Sequence, residues 1–405
     1  MKILYVSSLC SDKYFKNIFE NSRVKPQQQA QKFHSLLSKG LIELTDDLYV
    51  LSRPPIQRSK HKIEHLKTKG NLKSGSCSIT YNHLKVLNIV VLKQFLLFCT
   101  SFFYALKWGL KNRKQEKAIF FDPLNLSISV AAMLVAKILN VKSVAIVTDI
   151  PDFMKEYTFK KKSFINRATS KCYTGICNFL LHKYDYYILL TEQMNEVINF
   201  SKKPYIVMEG LVDSQMKNTM NLLDYKYNEK IVIYAGALYE KYGVKKLIDA
   251  FMKLKDSDVK LWLYGAGEME DYVKKCEKED YRIKYFGVVP NELIVKEQLK
   301  ATLLVNPRPS YEDFTKYSFP SKNMEYMVSG TPILTTRLQG MPSEYNKYVY
   351  LIEDETVSGV KSALETILGK NRGELHEQGV KAKEFVISEK NNQVQASKII
   401  NFISA

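Results

Sequence analysis

Residues 231–254 read IVIYAGALYEKYGVKKLIDAFMKL. The run Ile231–Tyr234 is short, apolar and rich in β-branched residues, which is typical of a strand buried on both faces of a sheet. A turn with two glycines follows, and then apolar residues recur every three or four positions from Val244 to Leu254. That spacing indicates one face of a helix. The stretch is therefore a strand–turn–helix unit, the building block of a parallel sheet.

The same unit recurs along the whole chain. In the first half, strands are predicted at Ile3–Ser7, Leu48–Ser52, Ala118–Phe121, Ser143–Thr148, Tyr186–Leu190 and Tyr205–Met208. In the second half, they are predicted at Ile231–Tyr234, Lys260–Tyr264, Ile283–Phe286, Leu303–Asn306, Ile333–Thr336 and Val349–Ile352. Helical patterns separate them, and parallel strands require such crossovers. The predicted fold class is α/β, with two doubly wound, Rossmann-like domains.

Four segments are expected: a first domain at 1–213, a polar linker at 214–230, a second domain at 231–380 and a C-terminal helix at 381–405. The pattern predicts that this last helix, Val380–Ile403, returns across the first domain. Residues Ser8–Lys25 are expected to form a long loop. Ligands of doubly wound sheets bind outside the carboxyl ends of the strands, so the two domains are expected to face each other across a cleft.

Charge is distributed unevenly over the 405 residues. The chain has 60 Lys and Arg against 42 Asp and Glu, and residues 1–215 hold 32 of the basic and 16 of the acidic side chains. A basic half favours an anionic partner such as a membrane surface, a nucleic acid or a phosphorylated ligand. The alternative is that the lysines only keep the surface soluble and bind no anionic partner. No nucleic-acid partner is predicted, because no helix-turn-helix, RRM or zinc-finger pattern is present.

Location is predicted from three features. The six cysteines show no CxxC spacing, so neither a zinc site nor a disulfide framework is indicated. The N-terminal sequence does not resemble a signal peptide, which predicts a cytoplasmic protein. The uncharged segment Gln94–Leu106 has thirteen residues, too few to span a bilayer. A buried core helix is the favoured interpretation, and an interfacial helix with a basic flank is the alternative.

The densest chemical signal is TKYSFPSKNMEYMVSGTP, residues 315–332. Pro320 fits the start of a helix and Gly330 fits its end. The N–H groups of a helix that begins near Ser321 attract phosphate, and Lys322 adds a positive charge there. Glu325, one turn further on, is suited to accept hydrogen bonds from a ribose diol; an ordinary surface glutamate is the alternative.

Other candidates lie at strand ends. Arg308 follows the strand Leu303–Asn306, where a guanidinium suits phosphate, although an ion pair with a nearby acidic residue is the alternative. Asp149 follows the strand Ser143–Thr148 and is suited either to act on an acceptor hydroxyl or to cap a turn. The glycine turns after two strands complete neither GxGxxG nor a Walker motif, so a dinucleotide fold is not predicted.

The second half resembles the donor-binding domain of retaining GT-B glycosyltransferases of family 4, the glycosyl transferases group 1. The matching stretches are AGALYEKYGVKKLIDAF (235–251), LYGAGE (263–268), YFGVVP (285–290) and FPSKNMEYMVSGTP (319–332). They occur in the family's order over about 170 residues. The first half is similar only in general layout.

The resemblance implies that the second domain binds a nucleoside diphosphate sugar and the first binds an acceptor. It assigns donor contacts to Gly265, Gly267, Val289, Pro320, Ser321 and Glu325, and Gly236 and Lys322 are further candidate donor contacts. The chain departs from the family pattern at three positions: Tyr317 replaces a glutamate, Ala237 an arginine and Tyr242 a lysine. Lys241, Arg308 and Lys322 are the candidates to supply the missing positive charge.

The function expected from this resemblance is a metal-independent, retaining hexosyltransferase that uses a UDP-sugar and no cofactor. The candidate catalytic residues are Asp149, Tyr317, Lys322 and Glu325. The acceptor is expected to be a glycan or a lipid-pyrophosphate-linked glycan of a bacterial surface polysaccharide, such as a capsule or exopolysaccharide. The protein is expected at the inner face of the cell membrane. A catalytically inactive GT-B partner or regulatory protein is the alternative.

Overall fold

The computed structural model describes residues 1–22, 26, 28–45, 47–56, 72–74, 77–86, 90–150 and 174–405. The chain divides into two compact units. The first unit comprises Met1–Glu209 and Asn392–Ala405, and the second comprises Gly210–Asn391. The predicted linker lies within the second unit, where it forms short 3₁₀ helices at Ser214–Asn218 and Leu223–Tyr225.

The first unit contains a sheet of eight described strands. They are β1 (Lys2–Ser7), β2 (Asp47–Ser52), β3 (Leu72–Ser74), β4 (Cys77–His83), β5 (Lys117–Phe121), β6 (Lys142–Val147), β7 (Tyr186–Leu189) and β8 (Tyr205–Val207). Their order in the sheet is β3-β4-β2-β1-β5-β6-β7-β8. The edge strand β3 is antiparallel to β4, and the other pairs are parallel.

Helices connect these strands. They are α1 (Asp12–Asn21), α2 (Gln28–Leu44), α3 (Val90–Lys111), α4 (Leu126–Ile138), α5 (described over 174–181) and α6 (Gln193–Ile198). The described residues of β1 and β5 are almost entirely buried, as expected for strands covered on both faces.

The second unit contains a sheet of six parallel strands. They are β9 (Lys230–Ala235), β10 (Val259–Tyr264), β11 (Ile283–Gly287), β12 (Leu303–Asn306), β13 (Ile333–Thr336) and β14 (Tyr350–Ile352), in the order β11-β10-β9-β12-β13-β14. Its helices are α7 (Val244–Met252), α8 (Glu270–Glu279), α9 (Asn291–Lys300), α10 (Ser321–Ser329), α11 (Val357–Leu368) and α12 (Arg372–Glu389). The predicted α/β class with two doubly wound sheets is confirmed.

The C-terminal region differs from its prediction as one helix. A break at Lys390 and Asn391 separates α12 from α13 (Asn392–Ser404). The Lys390 carbonyl accepts a hydrogen bond from the Val212 N–H, and Val212 pairs with Asn391 as an isolated β-bridge. These backbone bonds replace helical ones, so the helix ends there. Helix α13 belongs to the first unit and packs against α2.

Two regions of the first unit also differ from prediction. The expected loop Ser8–Lys25 contains α1, whose Tyr14 and Ile18 lie four residues apart and are buried on one face. Strands β3 and β4 were not predicted, because CSITYNH mixes polar and apolar residues without a clear apolar run. Among the described residues, no helix is long and apolar enough to cross a membrane.

For the segment of α3 at Gln94–Leu106, the favoured prediction of a buried core helix, with an interfacial helix as the alternative, is wrong for the outer face. Leu97, Ala105 and Trp108 are buried on the inner face, whereas Phe95 and Phe103 are exposed. The prediction failed because apolar residues occur all around this helix, so that periodicity could not separate the inner face from the outer one.

Candidate functional site

The start of α10 is fixed at the carboxyl edge of the second sheet. Asn306, the last residue of β12, donates through Nδ2 to Asn323 Oδ1 (2.7 Å), and Asn323 Nδ2 donates to Thr335 Oγ1 of β13 (3.3 Å). Tyr326 Oη accepts from the N–H of Ala235 at the end of β9 (2.8 Å) and donates to its carbonyl (3.2 Å). Buried hydrogen bonds therefore hold the first two turns of α10 beside three strand ends.

Helix α10 presents a positive end at this edge. All nine of its residues are described, and its first turn has neither an acidic residue nor a side-chain cap, because Pro320 occupies the N-cap position. The helix dipole concentrates partial positive charge at its N-terminus. The protein places a further cation there, Lys322, instead of a neutralising carboxylate. Such an end is suited to bind an anion.

Lys322 is partly buried against an aromatic ring. Its Nζ lies 4.5 Å from the centre of the Tyr234 ring and donates to Tyr234 Oη (3.0 Å). Burial, followed by repulsion from Arg308, lowers the pKa of Lys322 to about 7, and Glu325 partly opposes this shift. An anion bound beside this amine would raise its pKa again and favour the protonated form.

Gly236 makes room for this amine. A Cβ atom at Gly236 would lie 1.7 Å from Lys322 Nζ, so any side chain here would displace it. The Gly236 N–H donates to the Tyr264 carbonyl (2.9 Å), which fixes the turn after β9. Gly265 has φ of +126°, and a Cβ atom there would lie 1.8 Å from the Gly236 carbonyl oxygen. The two glycine turns therefore pack backbone against backbone.

Arg308 lies on the same side of the site. Its guanidinium carbon is 5.3 Å from the centre of the Tyr242 ring and 4.6 Å from that of Phe314, and Nη1 is 3.4 Å from Ser318 Oγ. The planar cation thus packs against aromatic side chains, and its bidentate geometry suits phosphate. The sequence left an ion pair with an acidic neighbour open as the alternative; the structure places the guanidinium against two rings and a hydroxyl.

Three cationic side chains lie near the ring of Tyr242. Its ring centre lies 5.3 Å from the Arg308 guanidinium carbon, 5.5 Å from Lys241 Nζ and 5.7 Å from Lys322 Nζ. Sequence reasoning had interpreted Tyr242 only as the loss of an expected lysine. The structure shows that the substitution supplies a ring against which the remaining cations pack. Tyr234, Tyr242 and Phe314 are thus site residues that sequence reasoning missed.

The other predicted donor contacts lie in the second unit. Ser321 is exposed at the start of α10, and Glu325 is partly buried one turn later. Tyr317 ends a 3₁₀ helix, Asp313–Tyr317, and is partly buried. Gly267 lies against the Leu238 carbonyl, 2.3 Å from the position of an added Cβ. All of these residues follow strands at the carboxyl edge of the sheet.

Two further predicted donor contacts are Val289 and Lys241. Val289, between β11 and α9, packs against the apolar core of the second unit. Lys241 lies in the 3₁₀ helix Glu240–Tyr242, with Nζ 5.7 Å from the Tyr239 ring centre. Both are partly buried.

Asp149 lies in the first unit, exposed in a bend two residues after the end of β6. It therefore follows a carboxyl strand end, as predicted. The predicted acceptor segment Lys155–Lys162, and Asp152, lie outside the described residues.

The part of the chain that the structure describes contains no group of three or more His, Cys, Asp or Glu side chains placed to hold a metal ion. The absence of a metal and of a cofactor remains a prediction from the sequence.

The lowered pKa of Lys322 predicts how stability depends on pH. Between about pH 7 and about pH 10 the unfolded chain keeps a proton on Lys322 that the folded protein has lost, so the free energy of unfolding should increase as pH rises. Urea denaturation of the ligand-free protein across this range tests the effect. Lys322→Met should show a smaller increase. Lys226, whose pKa burial also lowers to about 7, remains in both proteins as a reference. Equal pH dependence in the two proteins would contradict the assignment.

Comparison with known proteins identifies the second unit. Residues 219–385 match the family described as "Glycosyl transferases group 1". No curated protein sequence is significantly similar to the chain.

Solved structures resemble the whole chain at low identity. Sucrose-phosphate synthase from Thermosynechococcus elongatus is 13% identical, with a TM-score of 0.66 over 100% of this chain and 98% of that one. Anabaena HepE in complex with UDP is 13% identical, with a TM-score of 0.62 over 100% of both chains. The lipopolysaccharide outer core galactosyltransferase WaaB is 14% identical, with a TM-score of 0.59 over 100% of this chain and 99% of that one.

At these identities the likeness shows the fold, which is GT-B. The family match adds the activity, because its residues 219–385 include the glycine turns, Arg308 and the start of α10. The second unit thus contains a glycosyl transferases group 1 domain, and the chain is a glycosyltransferase of the GT-B fold.

Proposed function

We propose that the protein transfers a hexosyl group from a UDP-sugar to a hydroxyl of a lipid-linked or polysaccharide glycan, with retention of configuration. UDP is favoured because Anabaena HepE, which shares the fold, was solved in complex with UDP. A lipid-linked glycan acceptor is favoured because WaaB, another protein of this fold, is a lipopolysaccharide outer core galactosyltransferase.

The observation that carries the proposal is the convergence of Arg308, Lys322 and the start of α10 at one sheet edge. In the transfer, the bond from the sugar C1 to the β-phosphate oxygen breaks and its electron pair leaves with the diphosphate. The acceptor oxygen forms the new bond to C1 and its hydroxyl proton departs. Two cations and a helix N-terminus are suited to stabilise the negative charge that develops on the diphosphate.

The remaining donor-side roles follow the resemblance to the family, and the role of Asp149 follows from its position after β6. In this proposal the backbone after Pro320 contacts the diphosphate, and Glu325 accepts hydrogen bonds from the ribose hydroxyls. The Gly265–Gly267 turn and Val289 frame the base. Asp149 of the first unit orients or deprotonates the acceptor hydroxyl, and Tyr317 contacts the donor sugar.

The alternative of an inactive GT-B partner rested on the departures at Tyr317 and Ala237. These departures do not leave the site without positive charge, because Arg308 and Lys322 lie within 6 Å of one aromatic ring, that of Tyr242. The cation cluster therefore favours catalysis over a purely regulatory role.

The proposed location is the cytoplasmic face of the cell membrane, where a lipid-linked acceptor of a surface polysaccharide is accessible. A metal-independent reaction is part of the same proposal, because the two cations are suited to stabilise the leaving group.

A thermal-shift screen of UDP-, GDP- and dTDP-sugars tests the donor. The true donor should raise the melting temperature in proportion to its affinity. Glu325→Gln should weaken UDP binding about 10- to 100-fold, because hydrogen bonds to a charged acceptor are lost. The same substitution should have little effect on a UDP analogue that lacks both ribose hydroxyls.

Glu365→Gln is the matched control, since Glu365 is an exposed partner of Lys361 on α11. The proposal is wrong if no nucleoside diphosphate sugar binds and every donor stays intact in the presence of acceptor extracts.

A further inference from the structure

Helix α3 has an apolar outer face. Leu92, Phe95, Phe103 and Leu110 are exposed, and Phe95 and Phe103 have exposed fractions of 62% and 68%. With the partly buried Cys99 and Leu106, they occupy positions spaced by three or four residues, which is one stripe of a helix. At 1.5 Å per residue the stripe is about 27 Å long. Soluble helices normally present polar residues on this face.

Helix α4 packs beside α3 and also exposes apolar residues. Gln94 contacts Ser127 in the first turns of the two helices, and an added Cβ at Gly109 would lie 2.4 Å from Leu139 at their ends. The helices therefore run parallel and side by side. Leu134 and Ile138 are exposed on α4, with exposed fractions of 45% and 64%. We call six of the exposed apolar residues of the two helices the α3–α4 face; they are Leu92, Phe95, Phe103, Leu110, Leu134 and Ile138.

Basic residues outnumber acidic ones in the segment that carries this face. Residues 90–140 contain seven Lys and Arg and two Asp and Glu, and one of the two acids, Asp122, is buried. Lys107 and Lys111 are exposed on α3 beside the apolar stripe. Lys137 is exposed between Leu134 and Ile138 on α4, where it forms an ion pair with Asp185 (3.0 Å). Contiguous exposed apolar residues usually mark an interaction surface.

We propose that the α3–α4 face docks on a bilayer that contains anionic phospholipid. Aromatic and aliphatic side chains bordered by lysine match the acyl boundary and the anionic headgroups of such a surface. A second copy of the chain is a poorer occupant. In a symmetric dimer, each face would meet the same lysines of its partner, and the like charges would repel. The proposal gives a physical basis to the membrane location and depends on the proposed function only for its biological purpose.

Vesicle flotation of the full chain tests this surface. Wild-type protein should float with vesicles of phosphatidylcholine and phosphatidylglycerol and much less with phosphatidylcholine alone. The double substitution Phe95→Ser and Phe103→Ser should lower partitioning at least about tenfold, because two exposed phenylalanines no longer enter the interface. Lys107→Glu with Lys111→Glu should lower it to a similar extent, and the loss should be greatest at low salt.

Tyr281→Ser is the matched control, because Tyr281 is an aromatic residue of the second unit with an exposed fraction of 69%. It should float as wild type does. UDP binding, measured separately, should be equal in all of these proteins. An error in the donor assignment would therefore appear in the binding measurement and not in flotation.

Two results would overturn the docking proposal. One is equal flotation of the phenylalanine variant and the wild type. The other is a wild-type dimer that becomes a monomer in that variant by light scattering, which would assign the face to contact between copies.

Discussion

Replacing Lys322 with methionine is expected to lower the rate of sugar transfer about 100- to 1000-fold, the usual effect of removing one preorganised group that stabilises developing negative charge. Methionine keeps the apolar length that packs on Tyr234 but removes the ammonium group beside the leaving diphosphate. Steady-state transfer with the identified UDP-sugar measures the loss, and both kcat and kcat/KM should fall.

The same substitution should leave the fold intact. Burial and repulsion from Arg308 disfavour the charged form of Lys322 in the ligand-free protein, so methionine should maintain or raise the melting temperature at neutral pH. Lys361→Met, on the surface of α11, is the control and should change the transfer rate by no more than about twofold. Wild-type activity in Lys322→Met would remove the main support for the site.

Gly236→Ala is the second substitution with a large expected effect. The new methyl group would lie 1.7 Å from Lys322 Nζ and 2.0 Å from Cε, so the lysine must leave its place although its charge is retained. A displacement of an ångström at a catalytic group typically costs about 100-fold in rate. Transfer kinetics should show a loss of this size.

A double substitution tests the proposed cause. If the methyl group acts by displacing Lys322, then Gly236→Ala should add little to the loss already caused by Lys322→Met. Multiplicative losses would mean that the two residues act separately. Gly175→Ala is the control, since no atom of the described residues outside its own helix lies within 4 Å of an added Cβ there and alanine is the better helix residue.

Much of the fold was predictable, because buried parallel strands leave short apolar runs in the sequence. The strands Leu303–Asn306 and Ile333–Thr336 and the helix Ser321–Ser329 have the bounds that the sequence pattern predicts. The break at Lys390 was not predictable, because it depends on a backbone bond from Val212, which is remote in sequence.

The candidate site was predictable only in part. Lys322 and Arg308 carry local signals, a helix start and a strand end. Tyr234 and Tyr242 carry no local signal. Each ring packs against a cation that lies far along the chain, and such a contact produces no periodic pattern in the sequence. The substitution at Tyr242 was visible in the sequence, but the role of the ring depends on its contacts with Arg308 and Lys322, which lie in two other segments of the chain.

The position of α13 affects the order in which the two units can form their contacts during synthesis. This helix packs on α2, where Gly40 lies so close that an added Cβ would be 2.0 Å from the Asn392 carbonyl oxygen. Residues 210–391 separate it from the rest of its unit. During synthesis the ribosome therefore releases every residue of the second unit before the first unit has its last helix. The contact between α2 and α13 therefore forms only after the second unit has been synthesised.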